Sequence, residues 1–83
     1  MTKTERAKRR RERVLFIHQQ MLKHLREAYE SNDHNKIDEA YASLRDYKIG
    51  VYAMCKGGEY SYFHNHFNDA FQQFMDENKE YFK

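Results

Sequence analysis

The chain has no proline, and only three glycines, two of them adjacent, in 83 residues. Strand-and-turn architectures need many turn residues, so this scarcity points to helix throughout. The single cysteine, Cys55, has no partner for an internal disulfide. That usage fits a reducing cytoplasm. Long hydrophobic runs are missing as well. The longest apolar stretch near the basic N-terminus is 14–17, too short for the apolar region of a signal peptide or for a membrane span. The expectation is a soluble, cytoplasmic protein. No CxxC, HExxH, zinc-finger or phosphate-binding glycine pattern occurs, so neither a metal, a cofactor nor an enzymatic activity is expected.

What the chain does have is aromatic mass and segregated charge. Seven tyrosines and six phenylalanines bring the aromatic share to 16%, and large rings suit the thin core of a small domain. The net charge of +2 conceals two opposed regions. Residues 1–13 carry seven bases (Lys3, Arg6, Lys8, Arg9, Arg10, Arg11, Arg13) against Glu5 and Glu12, a net of +5. The other 70 residues hold eight bases and eleven acids, a net of −3.

Periodicity divides the chain into three helices. Thr2-Lys3-Thr4-Glu5 has the spacing of a capping box, and from there a helix can run unbroken to about Glu30. On it Val14, Leu15, Ile17, Met21, Leu22, Leu25, Ala28 and Tyr29 fall within an arc of about 160°, with Phe16 on the opposite side. His18 lies inside that arc and reads as a partly buried histidine. A second helix is expected to start at an Asn35 N-cap and to carry the stripe Ile37, Ala40, Tyr41, Leu44, Tyr47, Val51, Tyr52 and Cys55, with Lys48 among them. It should end at Gly57-Gly58, where glycine tolerates a left-handed cap. A third, from Tyr60 or Ser61 to about Tyr81, carries Phe63, Phe67, Ala70, Phe71, Phe74 and Tyr81 at helical spacing.

Short connectors make successive helices antiparallel neighbours. The expected fold is therefore all-α, an up-down-up three-helix bundle (14–83) with a basic N-terminal helical extension (1–13). In that topology the arm shares a pole with the 56–62 turn, and Asp76, Glu77 and Glu80 lie at the far pole.

On a helix Lys3, Arg6, Arg9, Arg10 and Arg13 fall within about 120° of one another, with Glu5 and Glu12 outside that arc. Guanidinium forks match phosphate geometry, and five of the seven bases are arginine. Residues 8–13, Lys8-Arg9-Arg10-Arg11-Glu12-Arg13, resemble the arginine-rich helices that some phage antitermination proteins insert into RNA hairpins. Over those six positions the resemblance implies contact with RNA. Lys56, Tyr60 and Tyr62 sit at the same pole, where aromatic rings beside bases can stack on nucleobases. A solvated basic tail, with Tyr60 and Phe63 merely closing the core, is the plainer alternative.

Among the histidines, His64 and His66 point about 200° apart on a helix and cannot chelate together. His34 and Asp38 supply only two potential ligands. Cys55, on the second helix's core stripe, reads as structural. The leading expectation is a small non-enzymatic regulator that binds RNA or DNA through the basic helix. The competing one is a protein-binding adaptor or inhibitor, engaging an acidic protein surface or self-associating through its opposite poles. Phe16, Ile49 and Met54, off the core stripes, could seed such an interface. A basic amphipathic helix lying on an anionic membrane ranks last, because 14–17 are needed for the core.

Overall fold

A computed structural model describes residues 2–82; Met1 and Lys83, the outer ends of the two expected segments, lie outside them. Helix α1 spans Lys3–Ser31, α2 spans His34–Ala53 and α3 spans Glu59–Glu77; a 3-10 turn at Lys79–Tyr81 follows. The bundle is all-α and runs up, down and up, measuring 45 × 22 × 20 Å. No strand occurs among the described residues. None of the helices is long and apolar enough to cross a membrane.

Helix α1 is the spine. Both α2 and α3 pack along it, and between themselves they meet mainly through rings, with Tyr47 and Tyr52 tilted against Phe67. Leu22, Leu25, Leu44 and Phe74 form a buried cluster, with Met21, Ala40, Tyr41, Ala70 and Phe71 against it. Nearer the basic pole Phe63, Phe67 and His18 are fully enclosed. Each such Leu or Phe contributes roughly 1.5–3 kcal/mol. The aromatics also fix the register between helices. The Tyr47 hydroxyl donates to the Val14 carbonyl at 3.0 Å, and Tyr29 and Tyr41 share a hydroxyl–hydroxyl hydrogen bond. Burial and that bond both raise the Tyr41 pKa.

The helix ends depart from the sequence reading in three places. The N-cap of α2 is Asp33 and not Asn35, and its carboxylate accepts from the amides of Asn35 and Lys36. Asn32 adopts the left-handed conformation (φ 56°) and reverses the chain at once, which places Asp33 over the new helix end. A carboxylate there also complements the helix dipole.

Helix α2 stops at Ala53, short of Gly57-Gly58. Met54 and Cys55 bond back three residues, to Val51 and Tyr52, and the Cys55 thiol donates to the Val51 carbonyl at 3.2 Å. Met54 is 69% exposed, so no core burial holds a further turn. Gly57 does take a left-handed conformation (φ 61°), but within the connector. Cys55 is thus a half-exposed connector residue, not part of a helix stripe.

Helix α3 ends at Glu77, before the expected Tyr81. The buried Asn78 donates from Nδ2 to the Phe74 carbonyl at 2.7 Å. The 3-10 turn then brings Tyr81 and Phe82 against Tyr29.

Candidate nucleic-acid interface

The basic arm is not a separate piece. It forms the first three turns of α1, continuous with the core helix. Helix formation starts at Thr2, whose Oγ1 accepts from the Glu5 amide at 3.2 Å. This cap fixes the phase of the bases that follow. Lys3, Arg6, Lys8, Arg9, Arg10 and Arg13 are exposed, and Arg11 is half-buried.

The structure divides these bases into two sets. Arg10 and Arg11 turn toward the start of α3. The Arg10 guanidinium pairs with the Glu59 carboxylate, and Arg11 lies over the Tyr62 ring at 5.6 Å from its centroid, a cation–π contact. Glu59 also accepts from the Lys56 amide through its other oxygen at 3.3 Å. The Arg10 hydrogen bond is the largest of the influences that hold the Glu59 carboxyl below its ordinary range. Together Lys8, Arg11, Glu12, Gly58, Glu59 and Tyr62 line an open cleft of about 610 Å³. Lys3, Arg6, Arg9 and Arg13 form the other set. Among the described residues none of them is in an ion pair with a carboxylate.

The aromatic residues expected at this pole are present, but their own neighbours engage them. Tyr60 lies nearly parallel to His64 (5.6 Å between centroids, 9° between planes) and 4.8 Å from Tyr52. Tyr62 contacts Phe63 and His66 as well as Arg11. Lys56 is exposed in the connector. The fold therefore joins Arg11 to Tyr62, and Arg10 to Lys56 through Glu59, whereas Tyr60 faces α2.

Sequence reasoning missed Glu59. It set the arm against the distant acids of the C-terminal pole and overlooked the first acid after Gly57-Gly58. A charge placed in the first turn of the helix that starts at the arm's own pole was the available signal. His64 was placed at this pole by the sequence, but not its partners: it is held between Tyr52 (3.5 Å from Nδ1) and Asn68 (3.1 Å from Nε2).

His18 is 1% exposed and stacks on Phe67 at 4.3 Å. Burial first, and the nearby Lys48 charge second, lower its pKa to about 4. The Cys55 thiol is pushed up by burial and by Glu59, against an opposing influence of Arg10, which disfavours the reactive thiolate. No group of three or more His, Cys, Asp or Glu residues that could hold a metal ion occurs among the described residues.

Comparison of the chain with protein families, with curated proteins and with solved structures finds no match in any of the three.

Proposed function

We propose that this chain is a small non-enzymatic regulator, cytoplasmic in location, that binds RNA or DNA through the outer face of the α1 arm. One observation carries this reading. Lys3, Arg6, Arg9 and Arg13 stand on a capped helix anchored in the core, with no carboxylate paired to them among the described residues. A row of cations held on a rigid rod loses little conformational freedom when it meets a phosphate backbone. The resemblance of residues 8–13 to RNA-inserting arginine-rich helices points the same way. Lys56 and Tyr62, beside the arm, form a secondary contact.

The test is fluorescence anisotropy of a labelled RNA hairpin and a labelled DNA duplex across a salt series. Neutralising about four phosphates of a duplex should give a log–log salt slope of about −3.6. The triple variant Arg6→Glu/Arg9→Glu/Arg13→Glu should lose at least 100-fold in affinity at low salt. An unchanged affinity in that variant would sink the proposal, and the comparison of the two ligands separates RNA from DNA.

A second reading, an adaptor or inhibitor that self-associates, has one observation in its favour. The acidic residues Asp76, Glu77 and Glu80 are exposed, and on a molecule 45 Å long their far-pole position leaves them available to the arm of another copy. Light scattering at low salt separates the readings, because a clean monomer excludes head-to-tail docking.

A further inference from the structure

An open groove of about 370 Å³ is lined by six residues of α2 and by Phe71 of α3. The buried Leu44 and the half-buried Tyr41, Tyr52 and Phe71 give it an apolar floor, and Ile49, 56% exposed, lines it as well. Two further residues line it, Arg45 and Lys48, and both are basic.

Lys48 is the unusual one. It is half-buried among apolar and aromatic residues, close enough to His18 to depress the imidazole's proton affinity. It forms no ion pair among the described residues. Arg45 reaches only the adjacent Asp46, at 3.6 Å, with both side chains largely exposed. A cation beside an apolar floor loses hydration without gaining a counter-charge, and a carboxylate from outside would supply one.

We infer that this groove docks an amphipathic helix of a protein partner, one whose apolar stripe is flanked by Asp or Glu. Tyr41, Lys48 and Tyr52 follow i, i+7, i+11 spacing, so the groove runs about 16 Å along α2, three turns of a seated helix. The guest's apolar residues would cover Ile49 and Phe71, and its carboxylates would meet Arg45 and Lys48. A nucleic-acid strand fits less well, because two cations over an apolar floor do not form a phosphate track. None of its lining residues belongs to the outer arginine row, and the site does not depend on nucleic-acid binding. With both in use, the protein would tether an acidic helix to a nucleic acid.

The test uses full-length ¹⁵N-labelled protein and two designed helical peptides of 16 residues. Both carry leucine at i, i+4, i+7 and i+11; one is flanked by glutamates and the other by lysines. The glutamate peptide should shift the amides of 41–52 and of Phe71, and the lysine peptide should bind at least tenfold more weakly. The double variant Arg45→Glu/Lys48→Glu should invert that preference, and Ile49→Asp should weaken both peptides, with circular dichroism verifying that each variant remains helical. Four results would overturn the inference: no shift at millimolar peptide, equal binding of the two peptides, shifts confined to residues 3–13, or groove shifts that grow with protein concentration alone and so report self-association. Groove shifts produced by an RNA hairpin in place of peptide would be a fifth, overturning it in favour of nucleic acid.

Discussion

His18 is buried against the Phe67 ring, with the Lys48 charge nearby, and the burial first and that charge second favour the neutral imidazole. Its other charged or titratable neighbours lie across a small cleft, His66 and Asp69 on α3. The unfolded chain takes up a proton near pH 6.5, and the folded chain does so only near pH 4. Stability from this residue is therefore complete above 6.5 and falls as the pH drops toward 4, by up to about 3 kcal/mol. Urea titrations at pH 7, 5.5 and 4.5 should show the loss, and His18→Gln should flatten it, at some cost in stability at pH 7. A slope that persists in the variant would assign the acid sensitivity to other groups. Sequence periodicity placed His18 in the core arc correctly. It could not give the depressed pKa, which depends first on how completely the packed helices bury the ring and second on Lys48 approaching from α2.

At the level of helices, Gly50 and Asp33 make opposite predictions. Gly50 lies within α2, exposed, and a Cβ added there would meet nothing within 4 Å. Gly50→Ala should raise stability by about 0.5–1 kcal/mol, read as a higher urea midpoint at unchanged slope. Asp33→Ala should lower it by about 1 kcal/mol through loss of the cap on Asn35 and Lys36. The three helices and the Phe63–Phe67–Phe74 stripe were readable from spacing, because a period near 3.6 directly reports a buried face. The ends were not. Asn35 and Asp33 have similar capping propensity, and the left-handed turn at Asn32 decides between them. The α2 terminus depended on Met54 finding no core to join. For the candidate site, the arm and its phase were evident in the sequence. The Glu59 clamp and the α2–α3 groove arise only when distant segments pack.

Over the whole molecule the net charge is arranged in poles, and Glu59 sets a further acid from outside the arm against the arm's own end. Glu59 holds Arg10 in a solvent-accessible ion pair, so a phosphate that approaches Arg10 must displace a carboxylate. If the proposed function holds, Glu59→Gln should tighten nucleic-acid binding severalfold at low salt and steepen the salt slope by close to one, as an additional cation becomes free to release counterions. Anisotropy on the RNA hairpin checks this; weaker binding in the variant would mean that the clamp positions the arm and does not compete for it.

The continuity of α1 has a further consequence, for hydrogen exchange. One helix carries its first turns with little core against them and its middle turns in the centre of the bundle. Amides of residues 6–13 should exchange through local fraying, whereas those near Leu22 and Leu25 should exchange only when the whole domain opens. A single rod would thus display two protection levels, with the step between them near Val14. A ligand seated on the arm would be seen as that step disappearing, whatever the ligand's chemistry.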